Sequence, residues 1–150
     1  MKKLLIALFV LFAPAANAGE PIERGKLVRS IYWSDGDSGH VSFFDGQRIK
    51  FRLADVDAPE TGGVGAAIGG AKCEKERELG FETKEYMVEL TRTSEVRVFL
   101  DEGKDRYDRH VLTLMIDNDL IISSGLFSGK LKWWPHRKGK ALTPKPDWCS

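Results

Sequence analysis

The chain has little with which to bind a soft metal, cross a membrane or hold a polyanion by bulk charge. It carries two cysteines and three histidines in 150 residues. His40, His110 and His136 fall at no zinc-ligand spacing, and two thiols are too few for a zinc cage. The apolar run from Leu4 to Ala13 is too short to span a bilayer. Neither sign of charge dominates, with 23 Lys and Arg against 22 Asp and Glu. That balance argues against a protein that grips nucleic acid by net charge. There is no internal repeat.

The N-terminus reads as a secretory signal peptide, residues 1–18. Lys2 and Lys3 precede the apolar run, and Ala16-Asn17-Ala18 is a small-x-small cleavage site. No cysteine follows the run to take a lipid anchor. Removing those residues takes away two lysines and no acid, so the formal charge moves from +1 to −1. Residues 19–150 are then one domain, large enough for one hydrophobic core. The expected protein is secreted or periplasmic, monomeric and free of the membrane once the signal is removed. In an exported chain, Cys73 and Cys149 favour one disulfide that ties the C-terminal end to the loop before the first helix. Two free thiols are the alternative.

The local patterns predict an α+β fold that is mainly β, with an antiparallel sheet. Strands are expected over Lys26–Trp33, Val41–Phe44 and Arg48–Val56, the last two joined at the hairpin signal Asp45-Gly46. Gly62–Ala71 holds five glycines and reads as a mobile surface loop. Glu74–Thr91 is the long helix, with Leu79, Phe81, Tyr86, Met87, Val88 and Leu90 as its apolar face. Strands over Glu95–Leu100 and His110–Ile116 follow, then a short helical segment ending at Gly129. The last twenty residues, with Pro135, Pro144 and Pro146, are expected to be mostly irregular. Lys130–Lys145 has six Lys or Arg and no acid, with Trp133 and Trp134 inside it. That composition suits a phosphate backbone and stacked bases, or a solvated tail whose tryptophans cover the core.

The chemistry concentrates in three places. Arg52-Leu53-Ala54-Asp55-Val56-Asp57-Ala58-Pro59-Glu60-Thr61 is a strand that runs into a cluster of one cation and three acids, stopped by Pro59. Upstream lies the turn Asp35-Gly36-Asp37-Ser38, and downstream Asp105-Arg106-Tyr107-Asp108-Arg109. Together they offer oxygen ligands for a hard cation and guanidinium forks for a phosphate, which points to phosphodiester chemistry. Each piece alone has an ordinary reading, as turn residues or ion pairs. Their order and spacing make the joint reading.

From Lys26 to Gly129 these pieces resemble the staphylococcal nuclease family. The resemblance implies a five-stranded OB-type barrel, one long helix between strands 3 and 4, and a short second helix. It also implies a Ca²⁺-dependent nuclease acting on DNA and RNA and leaving 3′-phosphates. Arg52, Glu60 and Arg109 match the catalytic positions, with Glu60 orienting or deprotonating the attacking water. Asp37, Asp57 and the carbonyl of Ala58 match the calcium ligands. Arg106 and Tyr107 match the contacts to a terminal phosphate. The chain departs from the pattern at Ala58, where the family usually has Thr, and at Asp108, where it has Gly. It also lacks the final helix. The alternative is a noncatalytic OB-type module that binds nucleic acid or protein; members of the superfamily lacking the arginines and the glutamate are of that kind. The combination Arg52, Glu60 and Arg109 separates the two.

Overall fold

A computed structural model describes residues 21–150; the expected signal peptide lies outside the described residues. The strands are β1 Val28–Trp33, β2 Ser38–Phe43, β3 Arg48–Leu53 and the two-residue β4 Val56–Asp57. Helix α1, Glu74–Arg92, precedes β5 Val96–Lys104 and β6 His110–Ile116. Then come β7 Asp119–Leu120, α2 Ile121–Phe127, β8 Lys132–Trp133, β9 His136–Arg137 and β10 Lys140–Ala141. The main sheet runs β1-β2-β3-β6-β5, and the short β7 pairs with the end of β6, at Met115 and Ile116. This is the expected OB-like α+β fold. Among the described residues no helix is long and apolar enough to cross a membrane.

β1, β2 and β3 form an antiparallel meander because alternate side chains are apolar and the Asp45-Gly46 turn, with Gly46 at φ 88°, reverses the chain. The sheet is not wholly antiparallel, however. β3 pairs with β6 in parallel, Phe51 opposite His110 and Arg52 opposite Val111. A parallel pair needs a crossover, and α1 with β5 supplies it. At the far edge, Leu27 bridges Arg97, and Gly25 N–H donates to the Val98 carbonyl at 2.7 Å. The first and last strands thus meet at a point and not along a continuous ladder. Trp33, Val41, Phe51, Leu53, Leu112 and Leu114 fill the interior. The Trp33 ring meets Phe51 edge-on at 5.2 Å, and its indole N–H donates to Thr91 Oγ1.

Two expectations about elements need correction. The third strand ends at Leu53, because Asp55 adopts φ 57° and turns the chain before Val56. The fourth runs on to Lys104, with register shifts after Val98 and Asp101 that absorb the twist. The glycine-rich loop is exposed over residues 63–69, yet it is stitched by its own backbone: Gly62 N–H donates to Gly69 O and Gly65 N–H to Ala71 O.

α1 keeps its predicted face only in part: Met87 is buried and Tyr86 and Leu90 pack against the core. Its buried stripe is Glu76, Gly80, Thr83, Met87 and Thr91, while Phe81 and Val88 are exposed. The reason is close approach. A Cβ on Gly80 would lie 2.3 Å from the Glu60 carbonyl oxygen, and one on Gly36 would lie 2.3 Å from Thr83 Cγ2. Small residues let the helix lie directly against the two turns that carry the acids. Glu76 is buried because its carboxylate caps backbone: Oε2 accepts Lys72 N–H at 2.7 Å and Oε1 accepts Glu60 N–H at 3.5 Å.

Cys73 and Cys149 form a disulfide, with Cα atoms 6.1 Å apart and a sequence separation of 76. Cys73 is also the N-cap of α1. A closed loop of that length restrains the unfolded chain by up to about 4–5 kcal/mol in the chain-entropy account.

Candidate active site

The site is built where β3 ends. Asp35 organises the first turn as an Asx-type cap: Oδ1 accepts N–H from Asp37 at 3.0 Å and from Ser38 at 2.7 Å. That fixes Asp37, whose Oδ2 accepts the Ala58 N–H at 3.0 Å, while its carbonyl accepts Leu53 N–H. Arg52 faces away from the core, because Phe51 and Leu53 on either side point inward. Its Nη2 donates to the Val56 carbonyl at 3.1 Å and lies 3.9 Å from Asp37 Oδ2. Asp57, 2% exposed, accepts the Trp148 indole N–H on Oδ2 at 2.8 Å. Glu60 Oε1 accepts from Lys145 Nζ at 2.8 Å, and the same ammonium lies 3.5 Å from Asp57 Oδ1.

Burial sets the electrostatics. Desolvation, then the charge of Asp35, drives the Asp37 carboxyl well above its usual range; the charge of Asp57 adds to this and Arg52 opposes it. Burial likewise raises Asp57, against the Trp148 hydrogen bond and the charges of Lys145 and Arg52. Burial pulls Lys145 down, but its hydrogen bond to Glu60 and the charges of Asp57, Glu60 and Asp37 prevail and leave it raised. The strand end is therefore short of positive charge even with two cations in it.

The third sequence piece is set apart. Arg109 precedes β6, two residues before Val111, which is paired with Arg52; strand alternation puts Arg109 and Arg52 on one face of the sheet. Yet its guanidinium is held by its own turn: Nε and Nη2 lie 2.8 and 2.7 Å from Asp105 Oδ2. Asp105 Oδ1 accepts the backbone N–H of Tyr107 and Arg109. Burial pushes the Asp105 carboxyl up, but the Arg109 hydrogen bonds outweigh it and hold it below its usual value. Tyr107 is exposed, with Arg106 4.8 Å and Arg109 5.3 Å from its ring centroid. Asp108 stands at φ 60°, a conformation that glycine adopts easily and Asp tolerates. Its carboxylate points outward to Lys104 Nζ at 2.8 Å and leaves Arg109 alone.

The structure thus brings together Arg52, Asp37, Asp57, Ala58 and Glu60. It places Arg106, Tyr107 and Arg109 on the adjoining hairpin. It also adds residues that the sequence reading left out of the site. In the sequence Lys145 stands out only as one charge of a basic tail, and no local pattern marks Trp148. Trp134 lies outside the core, 5.1 Å from the Arg52 guanidinium and 5.9 Å from Lys145. The one sequence signal near them is the expected disulfide, which brings the tail to the start of α1 but does not say which of its side chains enter the site. The tail is also less irregular than expected. β8 pairs with β4, His136 N–H donates to Asp55 Oδ1 at 2.7 Å, and β9 and β10 make a small hairpin. Arg137, Lys138 and Lys140 are exposed on that hairpin, whereas Lys130 is paired with Glu82.

The donor set suits a hard cation: two buried carboxylates and a neighbouring carbonyl, all oxygen, in a region short of positive charge. Among the described residues no three His, Cys, Asp or Glu side chains group closely enough to cage a metal unaided. Water and a substrate oxygen would complete such a shell.

A model of the family described as staphylococcal nuclease homologue matches residues 50–132, more than half of the chain. No curated protein matches it.

Proposed function

The chain belongs to the staphylococcal nuclease homologue family, and from that premise we propose that it is a phosphodiester hydrolase. Its substrates are DNA and RNA, its cofactor is Ca²⁺, and its products carry 3′-phosphates. The supporting observation is the convergence of Arg52, Asp37, Asp57 and Glu60 from a strand and two turns that are held by α1. A phosphodiester resists attack because it is anionic, so its charge must be met before water can reach phosphorus. Arg52 does part of this with a planar fork fixed by Val56 and Trp134. Arg109 does the rest from the hairpin by exchanging part of its Asp105 contact for a phosphate oxygen. Glu60 takes the proton of the attacking water. Asp37, Asp57 and the Ala58 carbonyl would hold Ca²⁺, which supplies Lewis-acid stabilisation of the phosphoryl oxygens. Arg106 and Tyr107 receive a terminal phosphate.

The disulfide supports an oxidising location, secreted or periplasmic, consistent with the N-terminal signal reading. A monomer is proposed.

One observation favours a second reading, a noncatalytic binding module: Glu60 and Arg109 are both engaged by partners within the chain. The deciding experiment is incubation of plasmid DNA and of RNA with the purified protein, in Ca²⁺ or in chelator. Cleavage of both only in Ca²⁺ is expected. Retardation of nucleic acid on a gel with no cleavage in either condition would establish the module instead.

A further inference from the structure

The tail places a cation among the acids. Lys145 lies between two anchors: Trp134, whose indole N–H donates to the Thr143 carbonyl, and Trp148, bonded to Asp57. Proline stands on each side of it, Pro144 and Pro146. Proline fixes φ, and the residue before a proline is confined to extended backbone, so little freedom is lost in holding this strap. Beyond it, Cys149 is bonded to Cys73 and the Ser150 carbonyl accepts from Lys75 Nζ. The ammonium is 2.8 Å from Glu60, 3.5 Å from Asp57 and 5.9 Å from the centre of the Trp134 ring. Among the described residues, Arg52 is the other cation that acts on Asp37 and Asp57.

This rests on the nuclease reading of the site and goes beyond it. We infer that Lys145 is a tethered counter-cation at the candidate calcium site: it neutralises Asp57 and Glu60 in the resting protein, and a divalent cation must displace it. A tethered group competes at a high effective concentration because its search is confined to the site. A unit charge within a few ångströms of the acids strongly opposes a second cation there. Displacing Lys145 also frees Glu60, so cation binding and release of the base become one event.

The test is calorimetric titration of Ca²⁺ into the intact oxidised protein without nucleic acid, beside its Lys145→Met and Lys145→Arg variants. Methionine keeps the apolar stem and removes the charge; arginine keeps the charge. Calcium should bind the methionine variant about tenfold or more tightly than wild type, and the arginine variant within roughly threefold of wild type. Reducing the Cys73–Cys149 bridge in wild type should shift affinity in the same direction as methionine, by less. Unchanged or weaker binding by the methionine variant would overturn the inference, as would absence of Ca²⁺ binding by all three proteins. The nuclease reading is judged separately by hydrolysis: cleavage with unchanged methionine-variant affinity sinks this inference alone. A methionine variant of normal affinity but greatly reduced kcat would show that Lys145 acts on the substrate instead.

Discussion

At the end of β3, acids and cations from distant segments share one small region; at the β5–β6 hairpin, the same residue types pair within a single turn. Asp37, Asp57 and Glu60 draw partners from β3, from the Ala58 backbone and from the tail. Among the described residues, the Asp105 carboxylate draws its partners from residues 107 and 109. The outcome is opposite. The strand-end aspartates are raised by burial that no neighbour offsets, whereas Asp105 is lowered because Arg109 overcompensates its burial. A region short of positive charge attracts a cation. A self-satisfied turn holds an arginine in a fixed place until an anion competes for it. A phosphodiester with a bound metal needs both, side by side.

The largest expected effect breaks the strand-end half. Glu60→Gln keeps size and an oxygen for Lys145 but removes the base. A loss of about 10²–10⁴-fold in kcat is expected, with the melting temperature little changed. Near-normal turnover would remove Glu60 from the proton transfer.

Arg52→Lys and Arg109→Lys compare the halves directly. A point charge does not replace a planar fork, so each should lose roughly 10²–10³-fold. The difference between the clusters predicts unequal structural cost. Arg52→Lys disturbs the contacts to Val56 and Trp134, while Arg109→Lys leaves the backbone bonds of the Asp105 turn in place. Activity retained by both variants would dissolve the clamp.

The smallest effect is on stability, and its sign follows from the raised aspartates. A carboxyl whose folded pKa lies above its unfolded value binds more protons when folded between those two values. Stability therefore falls as pH rises through that window and stays lower above it. Asp37→Asn should then raise the calcium-free melting temperature at pH 7, by roughly 4 °C for about 1 kcal/mol, while abolishing tight Ca²⁺ binding. For the same reason, wild-type calcium affinity should weaken on acidification from above the ordinary carboxylate range, near pH 4, and not only below it. A lower melting temperature in Asp37→Asn would mean that Arg52 compensates its burial after all.

The strand end and both turns were legible because their signals are local. Pro59 stops a strand wherever it stands, Asp35 caps its own turn, and Asp45-Gly46 makes a hairpin. The long helix was legible as a helix and in part by face: Met87, Tyr86 and Leu90 do pack on the core, but Phe81 and Val88 turn to solvent because the close approach of Gly80 to Glu60 decided the rotation. The break at Asp55 was hidden because an aspartate in left-handed backbone leaves the apolar alternation intact. Lys145 and Trp148 were out of reach for another reason. Their places depend on a covalent bond to residue 73, and composition cannot distinguish a lysine in solvent from one lodged between two carboxylates.

The parallel pairing of β3 with β6 also orders the events of folding. The β1–β2–β3 meander and the β5–β6 hairpin each close over a few residues and can form quickly. Phe51 meets His110 only when the loop, α1 and β5 between them have been gathered in. Loop entropy must be lost before that ladder forms, so this seam belongs to the late part of folding. Arg52 lies on one side of it and Arg109 on the other. A half-folded chain then holds an intact turn and an intact strand end but no arginine pair, and the proposed nuclease site is assembled only in the finished molecule.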